Sequence, residues 1–213
     1  EWHTLSIPRG GEFLVALADG TRVWLNSESE LKYPVNFRGN ERRVFLKGEA
    51  YFEVQHDESK PFLVEAAHQV VRVLGTSFAV KAYQDEESVL TTLEKGCVNV
   101  QTGNKCVVLN PGEQSVLQND TIVVRKVNTL QFTAWREGKF IFINEPLSKI
   151  MSTLSRWYDI HVFYSSVDLG DIEFTGELIR YSNVEELLQK FEVLEKVKFS
   201  VKDNIVIVNK YWK

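Results

Sequence analysis

Between Val44 and Val54 the chain alternates without a break. Val44, Leu46, Gly48, Ala50, Phe52 and Val54 take the even positions; Phe45, Lys47, Glu49, Tyr51 and Glu53 take the odd ones. Successive side chains of an extended chain point to opposite sides, so this period specifies a strand with one buried face. The even face is small at its centre, at Gly48 and Ala50, and large at its ends. Another element must therefore approach the middle of the strand closely.

Residues 12–126 carry roughly a dozen further strand patterns of this kind, with no helical period, so the front of the chain reads as all β. The first hairpin can be registered by its chemistry. A two-residue Asp19-Gly20 loop would set Val15 against Trp24. A three-residue Ala18-Asp19-Gly20 loop sets Val15 against Val23 and Phe13 against Leu25, keeps the apolar residues on one face, and gives Gly20 the left-handed position. Trp24 then lies on the opposite face. A Gly103-Asn104 turn aligns Val98 with Leu109 and Val100 with Val107, and Asn119-Asp120 makes another tight turn. Pro61 starts a strand and Pro111-Gly112 makes a turn, where a missing N–H does no harm. At Gly75-Thr76 the apolar phase slips from Val71 and Val73 to Phe78, Val80 and Ala82, which demands a bulge or bend. A sandwich, a jelly roll and a short β-solenoid all satisfy this pattern.

Further along, the period changes. Leu147, Ile150, Met151, Leu154 and Trp157 form the stripe of an amphipathic helix, with Asn144 as its cap and Pro146 in its first turn. A strand with Ile160, Val162 and Tyr164 on one face follows. The pattern then returns at a spacing of 37 residues: Val184, Leu187, Leu188, Phe191 and Leu194 form a second stripe, and Val197, Phe199 and Val201 a second strand. Ser182 and Glu185 read as a capping box. Strands near Phe140–Ile143 and Ile172–Leu178 precede the helices, and Ile205–Val208 closes a hairpin on Asp203-Asn204. This is a helix–strand unit used twice, in β-α-β-β-α-β order.

The chemistry-bearing residues do not converge. None of the four histidines belongs to a His-x-His or His-Glu-x-x-His run, so no metal site is spelled out. His56-Asp57-Glu58 reads as a solvated turn. Ser29-Glu30-Leu31-Lys32 has an acyl-enzyme spacing but lacks the helix and companion motifs. Asp85-Glu86-Glu87 reads as a solvated loop. Cys97 and Cys106 flank a hairpin in which their sulfurs stand about 13 Å apart along the strands, too far for a bridge, and read as small, mostly buried side chains. No cofactor, metal or catalytic residue is assigned, and no enzymatic activity is expected. The net charge of -4 and the scattered Lys and Arg argue against a nucleic-acid partner, with Arg42-Arg43 and Lys196–Lys198 reading as solvated faces. No apolar run is long enough to cross a bilayer. The chain begins Glu1-Trp2-His3 and its only Met is Met151, so it is expected to be a piece of a longer product.

Five ordered segments carry a resemblance: Leu17–Asn26, Val44–Val54, Lys60–Val64, Val73–Val80 and Asn110–Gln114. In this order and spacing they resemble the periplasmic part of FecR-like anti-sigma factors, and Trp135-Arg136-Glu137-Gly138 resembles the junction segment of that family. The resemblance implies an α+β chain: an all-β domain over 1–128, a junction at 129–138, and an STN-like α/β domain over 139–213, related to domains of secretins and outer-membrane transporters. It implies a cytoplasmic anti-sigma segment and one membrane helix ahead of this region, placing the region in the periplasm of a single-pass inner-membrane protein. It further implies two partners, the signalling domain of an outer-membrane TonB-dependent transporter and, through the preceding segment, an extracytoplasmic-function sigma factor. A small domain with an open sheet edge can accept a partner strand. The candidate contact residues are therefore Phe199, Val201, Val206 and Val208 of the last hairpin, with Tyr211 and Trp212 at the end. Two other readings fit the same elements: an envelope assembly module of secretin type, and a glycan-binding β-sandwich.

Overall fold

The structure, a computed structural model, describes residues 1–211, so Trp212 lies outside the described residues. The chain divides into two units, Glu1–Phe132 and Thr133–Lys213. The first is made of thirteen strands. They are β1 (Trp2–Ile7), β2 (Phe13–Ala16), β3 (Arg22–Leu25), β4 (Ser29–Pro34), β5 (Arg42–Glu53), β6 (Phe62–Ala66), β7 (Gln69–Val73), β8 (Ser77–Ala82), β9 (Val89–Lys95), β10 (Val98–Thr102), β11 (Lys105–Leu109), β12 (Glu113–Gln118) and β13 (Thr121–Lys126).

All of them hang on β5. Its first half pairs antiparallel with β4, from Glu30↔Lys47 to Lys32↔Phe45, and parallel with β6, from Arg42↔Phe62 to Leu46↔Ala66. Its second half pairs antiparallel with β3, from Arg22↔Glu53 to Leu25↔Ala50, and with β8, from Gly48↔Ala82 to Glu53↔Ser77. The strand thus leaves one sheet and enters another at Gly48. One sheet runs β1-β4-β5-β6-β7-β10-β11 and the other β2-β3-β5-β8-β9-β12-β13. Gly48 has φ +86, and a Cβ there would stand 2.4 Å from Ser29 Oγ and 2.8 Å from the Glu28 carbonyl oxygen. The close approach that the small centre of this strand demands is made by the start of β4.

Both sheets face one core. Val44, Leu46, Ala50, Phe52 and Val54 are buried in it with Phe62 and Val64 from one sheet and Phe78 and Val80 from the other. Phe52 stacks on Phe78 with ring centroids 5.1 Å apart and reaches Phe62 at 6.3 Å. Gln69 of β7 donates through Nε2 to Thr91 Oγ1 of β9 across the core at 2.8 Å. Of the three architectures open to the sequence pattern this is a sandwich, with β5 common to both sheets.

The two ends of β5 are tied by Arg42, which the sequence places on a solvated face but which is only 2% exposed. Position 42 is even, on the core side, and its guanidinium meets four acceptors from three loops. Nη1 donates to Asp19 Oδ2 and to the Gln55 carbonyl, both at 2.8 Å; Nε donates to the Lys60 carbonyl at 2.8 Å, and Nη2 reaches Leu74 O at 3.4 Å. The Phe62 ring lies 5.4 Å from the charge. Arg43, one residue on, points out and pairs with Glu41 and Glu65 at 2.9 and 2.7 Å.

The hairpin registers follow the turn chemistry. Val15 pairs with Val23 and Phe13 with Leu25, around Gly20 at φ +87. Val98 pairs with Leu109, and Gln118 with Thr121 around Asn119-Asp120. The phase slip at Gly75-Thr76 is a bend, where the chain passes from β7 in one sheet to β8 in the other. Cys97 and Cys106 are free but exposed rather than buried. Cys106 pairs with Gln101 on the outward face of its hairpin and donates to Asn99 Oδ1.

A short α1 (Leu130–Thr133) precedes a 3-10 turn at Ala134–Glu137. The second unit continues as β14 (Lys139–Pro146), α2 (Leu147–Tyr158), β15 (His161–Tyr164), β16 (Glu173–Ile179), α3 (Val184–Glu192), β17 (Val197–Lys202) and β18 (Ile205–Lys210). Strands β14 and β16 form one antiparallel pair, and β15-β18-β17 form a second sheet. Leu147 and Val184 each open a helix. Three local expectations shift. Pro146, not Asn144, is the N-cap of α2, because β14 runs up to it and Asn144 sits in a bulge at φ +47. The cap of α3 is Asn183, whose side chain accepts from the Glu185 N–H at 2.8 Å, so Ser182 is one residue early. Helix α3 ends at Glu192, which leaves Leu194 53% exposed and the second stripe a turn shorter than the first. Arg180 is fully buried, its Cζ 3.8 Å from the centroid of the Trp157 ring and 5.4 Å from that of Trp135, and it holds the 3-10 turn against this unit.

Arg42→Ala leaves Asp19 and three carbonyls without their shared donor. Urea unfolding is expected to show the first unit destabilised by about 3–5 kcal/mol, against about 1 kcal/mol or less for Arg43→Ala.

Candidate interaction surface

Helices α2 and α3 bury their apolar stripes with one face of the β15-β18-β17 sheet. Leu147, Ile150, Leu154, Leu187, Leu188, Val197, Val206 and Val208 share that core, with Val162, Tyr164, Phe199 and Val201 packed against it. This settles where four of the sequence candidates stand. Val206 and Val208 are fully buried, and Phe199 and Val201 are half-buried on the same inward side. Tyr211 is half-buried beyond the end of β18. Nor is β18 an edge: it pairs parallel with β15, from His161↔Ile205 to Tyr164↔Val208, and antiparallel with β17, from Val197↔Lys210 to Lys202↔Ile205. The correction has a simple cause. The turn at Asp203-Asn204 folds β18 into the middle of the sheet, and its even residues face the helices.

The edge of β17 is partly closed as well. The Phe199 N–H, which points away from β18, is accepted by Glu192 Oε1 at 2.6 Å. An edge whose N–H groups already have acceptors is a poor template for a partner strand.

The opposite face of the sheet is different. Its outward positions form three rows: His161, Ile205 and Lys202; Phe163, Ile207 and Ser200; Asn209 and Lys198. Phe163 is 57% exposed, and Ile205 and Ile207 are each 40% exposed. Lys198 and Lys202 border them, and none of the eight positions is a carboxylate. Lys210 lies at the end of β18 but is paired with Asp168 at 3.3 Å. That contact, after the Ser166 hydroxyl, holds the Asp168 carboxyl below its usual range. The run Ile205-Val206-Ile207-Val208 carries the signal for this face in sequence: a strand apolar on both sides needs cover on both sides.

The other sequence candidates are structural. Ser29 and Lys32 lie three residues apart on β4, so they point to opposite faces; Ser29 is buried, while Lys32 lies 5.6 Å from the Trp2 ring centroid. His56 and Glu58 stand 3.6 Å apart on an open loop. Beside that loop is an open groove of about 460 Å³ lined by His56, Arg72, Gly75, Cys97 and Asn99 among others. Among the described residues no three His, Cys, Asp or Glu side chains converge as a metal site would need. Trp24 packs edge-on against Tyr51 at 5.8 Å, under Arg22. Among the described residues no helix is long and apolar enough to cross a membrane.

Two tyrosines under the sheet set an alkaline limit. Burial pushes Tyr164 up to about 12. Burial does the same to Tyr158, also to about 12, against the opposing pull of Arg180. Both values lie above the unfolded value, so the folded unit holds these protons more tightly than the unfolded chain. Stability from this source is intact below pH 10.0 and falls as pH rises towards 12. Tyrosinate absorbance is expected to rise late, with loss of structure, and Tyr164→Phe is expected to retain structure to higher pH.

Comparison with known proteins fits both units. The family described as FecR protein matches residues 3–99, and the one described as FecR, C-terminal, matches residues 139–208. Two crystal structures of a candidate anti-sigma factor from Parabacteroides distasonis ATCC 8503 are each 30% identical to this chain with a TM-score of 0.91. They cover 98% and 99% of this chain, and the match spans 99% of each of theirs. No curated protein matches the chain.

Proposed function

The chain belongs to the FecR family, and we propose that it is the periplasmic signalling region of a transmembrane anti-sigma factor. It relays the state of an outer-membrane TonB-dependent transporter to an extracytoplasmic-function sigma factor. The observation that carries the reading is likeness over nearly the full length, in both units, to a candidate anti-sigma factor. Its role is regulatory and non-enzymatic. The sigma factor is met through a cytoplasmic segment ahead of this region, joined to it by one membrane helix.

The two units have separate tasks in this account. The sandwich over 1–128 is a stiff body that transmits force or position, and the junction at 129–138 follows it. The unit over 139–213 is an STN-like domain whose helix–strand element is used twice, and it is the part that meets the transporter's signalling domain. Leu147 and Val184 support the repeat, since both stand first in a helix and lie 37 residues apart.

A pull-down of the transporter's signalling domain tests this division. The full chain is expected to retain it, and a chain ending at residue 132, the boundary of the first unit, is expected to lose it. Retention by the shortened chain would reject the placement. Ring formation on size-exclusion chromatography would instead favour an envelope assembly role.

A further inference from the structure

We propose that the partner of the C-terminal unit docks on the outward face of the β15-β18-β17 sheet, not on its edge, and that it presents an apolar centre bordered by carboxylates. This rests on the reading of that unit given above and fixes which surface acts and what chemistry it takes.

The apolar part is continuous. Phe163 and Ile207 are paired across β15 and β18, and Ile205 is the next outward residue on β18. Neighbours on one face of a sheet at this spacing touch, so the three make one patch rather than three scattered side chains. A sheet face meant for water alternates to polar residues; here the central strand does not. Aromatic and large aliphatic side chains exposed together at the middle of a surface are the usual anchors of a protein contact.

The border supplies the partner's sign. Lys198 and Lys202 flank the patch on β17 and His161 stands on β15, with no acidic side chain among the outward positions, in a chain whose net charge is -4. A face stripped of carboxylates in an acidic protein attracts an acidic partner and repels a basic one. A second copy stacked face to face with β17 over β17 would bring Lys198 and Lys202 against themselves, which favours an acidic partner over that pairing. The edge is the weaker candidate because Glu192 already accepts the Phe199 N–H.

The test is calorimetric titration of the full chain with the transporter's signalling domain, at about 0.05 and 0.5 M salt. The double variant F163A/I207A is expected to bind at least about ten-fold more weakly at both salt concentrations. K198E/K202E is expected to bind several-fold more weakly at low salt, with the gap closing at high salt. Lys190→Glu, in the last turn of α3 and off this face, is expected to bind as the unaltered chain does. Lys190, Lys198 and Lys202 are exposed, so the urea midpoints of their variants are expected to stay unchanged; F163A/I207A removes a cross-strand pair and is expected to lower the midpoint slightly while unfolding remains a single transition. If the unaltered chain binds and both double variants bind equally well, the face is wrong while the partner stands. If the unaltered chain does not bind, the partner reading fails and this inference falls with it. Sedimentation of the unaltered chain with anionic phosphatidylglycerol vesicles, undisturbed by the signalling domain, would assign the patch to a membrane and overturn the proposal.

Discussion

One buried cation holds the first unit in shape. Arg42 opens β5 and Gln55 follows its end, about 40 Å apart were the strand straight; the guanidinium of one instead bonds the carbonyl of the other at 2.8 Å. That contact requires β5 to turn through the core, and Gly48 is where it turns. The fold there depends on two unusual residues working together. A glycine with φ +86 lets the strand change sheets, and an arginine joins its ends to Asp19, Lys60 and Leu74. The cost of burying the charge is offset because it meets a carboxylate and carbonyl acceptors at hydrogen-bond distance.

A sandwich closed this way has its polar chemistry spent on structure. Ser29 receives the Glu49 N–H beside the turn in β5, Gln69 bridges the sheets to Thr91, and Tyr83 donates to the Ser27 carbonyl. These groups are held in fixed pairs, which suits a stiff body better than a reactive centre. The second unit is built on another plan. Its helices cover one side of a three-stranded sheet, and the other side offers Phe163, Ile205 and Ile207 to solvent. Recognition by shape and charge needs such a face, because an apolar patch gains free energy only when a partner covers it.

Much of this was legible in the chain. Alternation from Val44 to Val54 implied both the buried face and the close approach at Gly48, and turn chemistry gave the registers at Gly20, Gly103 and Asn119. The spacing of 37 residues from Leu147 to Val184 located both helices. What was hidden depended on distant partners. Arg42 reads as a surface cation because its acceptors lie 13 to 32 residues away, in loops no local pattern connects. The capping shift from Ser182 to Asn183 is a choice between adjacent residues of similar propensity. The contact face was half legible. Ile205, Val206, Ile207 and Val208 are alike as strand formers, yet the turn at Asp203-Asn204 pairs Ile205 with Lys202 and Ile207 with Ser200. The polar partners on β17 already mark the odd residues of β18 as the outward ones.

The central claim is that this protein recognises its partner through an exposed sheet face on a unit distinct from the clamped sandwich. Mapping amide shifts of the isotope-labelled full chain during titration with the transporter's signalling domain tests it most directly. The account predicts perturbations centred on residues 161–164 and 205–208, with the amides of the sandwich unmoved. Perturbations gathered instead around the groove at His56, Arg72 and Asn99, with β15 and β18 silent, would contradict it.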